Sequence, residues 1–336
     1  MKAKNFFKTE AYGFKLWWLF IPVGIGLIGL MVGGFLDLDI SRAFVDQNDW
    51  MAKFWEGPGL MLTFSFTMVG AGFLAAGLWQ LKHIAWKIIG LVLLAGSAAL
   101  FSYLGTGHMV DKYAFGLDFA AVFGSSVDVW VAIFVILFQS SIGLATFLIC
   151  KNKDCEKLIR IGLIIMLCTG VEAGILELFK RACYRPRFRW LAGYTFDAEG
   201  NFVLAPEARI YLFRAWFEDW QWFSKAYYQD ASDPIRYAVE SDAIKSFPSG
   251  HTGNATLFMT LPLIASGFGL TEKKKFLTPC LFGIGLALTL IMAIYRVRAG
   301  AHFVSDVSFS LIIVDALYIF VFFLCMEAKK KEVQPQ

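Results

Sequence analysis

Charge is scarce in this chain. Only 17% of its 336 residues are Asp, Glu, Lys or Arg, and the net charge is a modest +4. That excess gives no electrostatic footprint for a nucleic acid, so no nucleic-acid partner is expected. Histidine is scarcer still, at four residues. No cage of Asp, Glu and His for a metal stands out, and nothing in the sequence calls for a cofactor. The six cysteines (Cys150, Cys155, Cys168, Cys183, Cys280 and Cys325) lack metal-type spacing and fall mostly in apolar runs or beside basic loops. An intramolecular structural disulfide is not expected. A cysteine nucleophile stays open, with no feature that supports one. There is no internal repeat and no low-complexity segment. What fills the chain instead is apolar: 57% of residues are hydrophobic and the mean hydropathy is +0.58, too high for an ordinary soluble protein of this length. The abundance of Phe and Trp suits aromatic belts at two membrane interfaces.

The apolar residues come in long runs. About 20 residues cross a bilayer as a helix, and eight runs approach or exceed that length: 14–36, 60–81, 86–107, 128–150, 158–179, 252–270, 276–295 and 303–325. The fold class expected is all-α, a polytopic membrane bundle of about eight transmembrane helices. The first run lacks a small-residue cleavage site and reads as a signal anchor. Lysines set the orientation. They cluster before the first run (Lys2, Lys4, Lys8, Lys15), in the loops after the second, fourth and sixth, and in the tail at Lys329, Lys330 and Lys331. The positive-inside rule then places both termini in the cytoplasm. Residues 37–59 and 108–127 become external. The lysines alone also bring three other segments to the outer face: 180–189, 249–251 and 296–306. The expected division is a helical N-terminal part (1–157), a C-terminal region (158–328) with an external loop (188–247), and a cytoplasmic tail (329–336).

Those three segments carry the chemistry. Pro248-Ser249-Gly250-His251 opens the sixth run with small residues, a hydroxyl and an imidazole at the positive end of a helix, where anions are held. Alone it reads equally well as a capping turn. Lys180-Arg181-Ala182-Cys183-Tyr184-Arg185-Pro186-Arg187 reads either as a snorkelling basic belt or as a cationic patch for an anion. Its external position favours the second reading, because snorkelling cations should be in cytoplasmic excess. In the third segment His302 and Asp306 are four apart. On one helix face, Asp306 can accept from one imidazole nitrogen and leave the other lone pair free. The alternative is a structural pair capping the eighth run. His83 reads as an interface residue and His108 as a surface or capping residue.

With these residues in place the chain resembles the type 2 phosphatidic acid phosphatase superfamily of membrane lipid phosphatases. That family has three motifs: Lys, six residues, Arg-Pro; Pro-Ser-Gly-His; and Ser-Arg, five residues, His, three residues, Asp. Lys180 and Arg187 have the first spacing, 248–251 match the second in full, and Arg296, His302 and Asp306 have the third. Phe188 stands where the family usually has Pro, and Tyr295 where it has Ser; the Tyr295 exchange bears on one supporting phosphate hydrogen bond. The resemblance implies a six-helix phosphatase core with two added helices, most simply N-terminal. It also implies a membrane-embedded active site on the extracytoplasmic face of the cell membrane, a lipid phosphate as substrate, and catalysis without a metal. Lys180, Arg187, Ser249, Gly250 and Arg296 would cradle the phosphoryl oxygens. His302 would attack phosphorus to form a phosphohistidine, Asp306 would orient it, and His251 would protonate the leaving group and then activate water.

The motifs are blind to the acceptor and to the lipid. A phosphotransferase passing the same phosphoryl group to a hydroxyl fits them as well. Phosphatidate, phosphatidylglycerol phosphate, a sphingoid phosphate and undecaprenyl pyrophosphate all present phosphate on an apolar tail. A vanadate-dependent haloperoxidase shares the pocket in related families, but its soluble members lack these spans. A transporter with intramembrane carboxylates would rest on Glu172 and Asp315, for which the sequence offers no partner, and would leave the three motifs unexplained. Glu177 is placed to pair with Lys180 or Arg181. The aromatic-rich stretch 207–228 reads as one or two interfacial helices, either a lid for a lipid tail or a belt that seats the loop.

Overall fold

The structure is a computed structural model that describes residues 10–110, 127–196, 202–204, 213, 243–271, 274 and 276–327. The chain enters through a two-stranded antiparallel hairpin, β1 (Glu10–Ala11) and β2 (Phe14–Lys15), and a 3-10 turn, Leu16–Leu19. The helices that follow are α1 (Phe20–Phe44), α2 (Trp50–Glu56), α3 (Pro58–Trp79), α4 (Ile84–Val110), α5 (Val127–Cys150) and α6 (Cys155–Ala182). A one-turn α7 (Phe188–Leu191) precedes a second antiparallel strand pair, β3 (Tyr194–Phe196) and β4 (Phe202–Leu204). Then come α8 (Gly250–Ala255), α9 (Leu261–Gly267), α10 (Leu277–Arg298) and α11 (Val304–Glu327). The expected stretch 207–228 lies outside the described residues, except Phe213.

Among the described residues seven segments are long and apolar enough to cross a membrane: Leu16–Phe44, Trp50–Trp79, Ile84–Met109, Val129–Cys150, Cys155–Ala182, Leu277–Arg298 and Val304–Cys325. The expected all-α polytopic bundle is therefore the observed one. Two details depart from expectation. The run 252–270 is not one uniform helix: α8 gives way to a 3-10 turn, Thr256–Thr260, before α9 resumes. Hydroxyls take the carbonyls there: Thr256 Oγ1 donates to Gly253 O at 2.6 Å, Thr260 Oγ1 to Leu257 O at 2.7 Å, and Thr289 Oγ1 of α10 to Ala255 O at 2.7 Å. Pro262, which has no N–H, sits in the first turn of α9. Back-bonding hydroxyls and a proline tighten or interrupt the α ladder. The second departure is α1, which runs on to Phe44. Asp37, read from sequence as the start of an external segment, is instead inside the helix and buried. A carboxylate is tolerated there because Arg185 and Ser305 meet it.

The helices pack around a buried α3, which contacts α4, α5 and α6, while α1 lies along α11 and α10 along the broken α8–α9 rod. Helices α4 and α5 pack on α3 and on each other. Met31, Phe35, Val92, Leu137 and Phe320 point outward, as suits side chains facing hydrocarbon. At one end Gln80 Nε2 donates to Lys153 O at 2.9 Å and Lys153 Nζ to Phe268 O at 2.8 Å, which ties the lysine-bearing loops together. The three motif segments meet at the other end. This separation gives the bundle two chemically distinct ends.

Candidate active site

Backbone hydrogen bonds stitch the three segments into one patch. After α6 the chain runs through Cys183–Arg187 with no helix. There Arg185 O accepts from Ser246 N–H at 3.0 Å, and Arg187 N–H donates to Ala243 O at 2.8 Å. Arg189 N–H donates to Gly300 O at 2.9 Å, and Ser249 N–H to Asp306 O at 3.4 Å. Phe188, at the family's proline position, begins α7 and is buried edge-on against Phe303 with ring centroids 6.4 Å apart. A first helical residue has no intrahelical use for its N–H, so a position that accepts Pro also accepts Phe.

Lys180, in the last turn of α6, reaches Gly250. A Cβ on Gly250 would lie 2.6 Å from Lys180 Nζ, so the missing side chain is what lets the ammonium close on the turn. Ser249 caps α8: its Oγ accepts from Thr252 N–H and bonds Thr252 Oγ1 at 3.0 Å, so this hydroxyl is engaged within its own turn. Arg296, from the last turn of α10, is 1% exposed and lies 3.2 Å from the Glu56 carboxylate, which also meets Arg189 at 3.2 Å.

His302 is buried. Its Nδ1 bonds the main-chain carbonyl of Ser246. A carbonyl can only accept, so Nδ1 carries the proton and Nε2 the lone pair. Burial lowers the His302 pKa well below its ordinary value, and the charges of Arg296, Arg187 and Lys180 push the same way. The ring is a neutral imidazole surrounded by cations. His251 bonds the Glu56 carbonyl through Nε2 at 3.0 Å, which places its proton on Nε2 and leaves Nδ1 as the basic nitrogen. It too is pushed well below the ordinary histidine value, first by burial and then by Arg296 and His108.

The expected Asp306–His302 pair is not what the structure contains. Asp306 accepts instead from Arg185 Nη1, from Ser246 Oγ and from Phe303 N–H at 2.9 Å. It reaches the His302 ring through Ser246, whose hydroxyl it holds and whose carbonyl holds the ring, and it holds the backbone next to His302 through the Phe303 N–H. Helical spacing brings positions 302 and 306 together only if both lie in one helix, and α11 begins at Val304. His302 therefore belongs to the turn before the helix and turns toward the 243–249 segment. The reading of His108 also changes: its ring stands edge-to-face on His251, with centroids 5.3 Å apart and planes at 83°.

Several residues at the site were not singled out from sequence. Arg185 lay inside the quoted basic cluster without a role. Glu56, Asp37, Ser246 and Ser305 are not motif residues, and the first two come from the N-terminal half. Glu177 pairs with Arg181 at 2.8 Å, one of the two expected partners. Among the described residues neither Glu172 nor Asp315 has a hydrogen-bond partner, and both are fully buried. Cys183 is buried against Ile244 and Phe247, and burial pushes its thiol up to about 12, with the Asp306 charge adding to it. A thiol held protonated in this way is a poor nucleophile.

The arrangement can bind an anion through Lys180, Arg187 and Arg296, offer it one bare imidazole nitrogen, and move a proton at a second imidazole. A family model described as the PAP2 superfamily matches residues 161–331 of the chain. No curated protein and no solved structure matches it.

Proposed function

The chain belongs to the PAP2 superfamily, whose members are phosphatases, and it is a multi-pass membrane protein; from these premises we propose that it hydrolyses the phosphate monoester or pyrophosphate of a membrane lipid through a phosphohistidine on His302. The observation that carries the reading is the tautomer of His302: Nδ1–H is given to Ser246 O, and Nε2 is bare among three cations.

In this mechanism Lys180, Arg187 and Arg296 neutralise the nonbridging oxygens, and Gly250 lets Lys180 stand close. Nε2 of His302 forms a bond to phosphorus as the bond to the leaving oxygen breaks, and Ser246 O shares the positive charge through Nδ1–H. The leaving oxygen needs a proton. His251 is neutral without substrate because it is buried and Arg296 stands beside it; a bound phosphate dianion opposes that positive charge and raises the basicity of Nδ1, so the ring can arrive doubly protonated and donate. In the second half His251 takes a proton from water, hydroxide attacks phosphorus, and the N–P bond breaks. Asp306 acts on His302 through Ser246 rather than by direct contact. The site lies at the end opposite the lysine loops, which the positive-inside rule makes extracytoplasmic.

The test is phosphate release by the purified protein in detergent with EDTA, across phosphatidate, phosphatidylglycerol phosphate, a sphingoid phosphate and undecaprenyl pyrophosphate. His302→Ala is expected to lose activity by roughly three orders of magnitude or more, as members of a coupled catalytic unit do. Near wild-type turnover in that variant, or activity that appears only with an added divalent metal, would sink the mechanism.

A further inference from the structure

The family match begins at residue 161, but the residues that hold the site do not. Asp37, on α1, is 2% exposed. Its Oδ2 accepts from Arg185 Nη2 at 2.9 Å and from Ser305 Oγ, and its Oδ1 accepts from Ser305 N–H at 3.0 Å. Asp306 is the counterpart: it accepts from Arg185 Nη1, from Ser246 Oγ and from Phe303 N–H. Each carboxylate receives one guanidinium nitrogen, one hydroxyl and one main-chain N–H. A single guanidinium serves both, with the Phe303 ring 4.4 Å from its carbon.

Charge balance alone does not ask for Asp37, because Asp306 already neutralises Arg185. What Asp37 adds is geometry. A guanidinium held on one edge can still swing about its stem, whereas one gripped at both terminal nitrogens has its plane fixed. With Arg185 fixed, Asp306 is fixed, and so is the Ser246 peptide whose carbonyl orients His302. The helix is pressed onto this spot by design of the sequence: a Cβ on Gly33 would lie 2.5 Å from Ser305 N and 2.7 Å from Asp37 Oδ1.

We propose that Asp37 is a positioning residue of the active site, which sets the His302 ring through Arg185, Asp306 and Ser246. Helix α1 is then a working wall of the catalytic unit as well as a membrane anchor. The inference rests on the reading of His302 as the reacting group.

The experiment compares purified wild type, Asp37→Asn, Gly26→Ala and His302→Ala on a short-chain phosphatidate. Gly26→Ala disturbs the same helix pair away from the network, since its Cβ would meet Ile312 Cγ1 at 2.8 Å and Ser308 O at 2.9 Å. In Asp37→Asn, kcat is expected to fall about 100-fold, the scale of a small misplacement of a reacting group, with KM nearly unchanged. Gly26→Ala is expected to lower the melting temperature while the folded protein keeps its kcat. Should Asp37→Asn not fold, Ser305→Ala, which keeps both carboxylates and removes the hydroxyl that donates to Asp37 and accepts from Arg185 Nη1, is expected to show a smaller kcat loss at constant KM. Wild-type kcat in Asp37→Asn (or in Ser305→Ala when that is the variant that folds), or a kcat loss that Gly26→Ala reproduces at equal loss of stability, overturns the inference. Activity retained in His302→Ala overturns the functional reading instead. An inactive His302→Ala beside a fully active Asp37→Asn overturns only the positioning role.

Discussion

In the proposed mechanism His302 is useful because it is uncharged. Burial and three neighbouring cations hold its pKa well below the ordinary 6.5. The unfolded chain therefore takes up a proton near pH 6.5 that the folded chain still refuses. By linkage, the stability from burying this ring neutral is complete above that pH and is lost as pH falls through the lower folded value. The same sign governs catalysis: the lone pair on Nε2 survives acidification past 6.5. The acid limb of the kcat/KM profile is expected below pH 6.5, and a pH–rate series on the purified protein reads it directly. A limb centred above that value would mean that the nucleophile is not this buried ring. Gly250 makes a second prediction at this scale. In Gly250→Ala the new methyl would sit 2.6 Å from Lys180 Nζ, the far end of a flexible side chain. The fold is expected to tolerate that and the proposed phosphate cradle is not. Inhibition by inorganic phosphate is expected to weaken by about 10-fold, the worth of one charge-assisted contact, with the melting temperature unchanged.

At the scale of elements, the ends of the long helices α6 and α10 deliver Lys180 and Arg296, and shorter, irregular elements complete the site. The α8–α9 rod is broken where Thr256, Thr260 and Thr289 claim its carbonyls. Thr289 holds Ala255 O and Gly285 O at 2.7 and 2.9 Å. Thr289→Val keeps the shape and removes the donor, leaving buried acceptors short of a partner. It is expected to cost about 1–3 kcal/mol, visible as a lower melting temperature in detergent. The short α2 is set by Asp49, whose carboxylate caps it by accepting from Met51 N–H at 2.8 Å and also binds Arg298. Loss of such a cap costs about 1 kcal/mol. Here it also frees the helix that ends in Glu56, so Asp49→Ala is expected to lower kcat as well as stability. A variant that lost stability alone would show that Glu56 keeps its place without the cap.

At the scale of the whole molecule, lysine loops and the three motif segments occupy opposite ends of one bundle. The positive-inside rule turns that separation into a sidedness. In a background freed of native cysteines, Lys53→Cys on α2 is expected to react with a membrane-impermeant thiol reagent added to intact cells. Lys82→Cys, in the loop after α3, is expected to react only after permeabilisation. The reverse pattern would place the active site in the cytoplasm. The N-terminal half is not a passive addition to the family-matched region: α1 supplies Asp37, α2 supplies Glu56 and α4 supplies His108, each to a partner in the C-terminal half.

The amino-acid sequence alone determined the long spans, the separation of the lysine loops from the motif segments, and which residues are the candidates for reacting groups. Those follow from run length, from where lysines fall, and from residue types at short fixed spacing such as Pro248–His251. Tertiary structure decided who holds whom. Asp37, Glu56 and His108 lie far along the chain from their partners, so no local pattern connects them. The acceptors that set the two imidazole tautomers are the main-chain carbonyls of Ser246 and Glu56. Every residue carries such a carbonyl, so nothing in a side-chain sequence marks these two. Only the packing of the turn at 299–303 against 243–249 turned His302 away from Asp306 and toward Ser246.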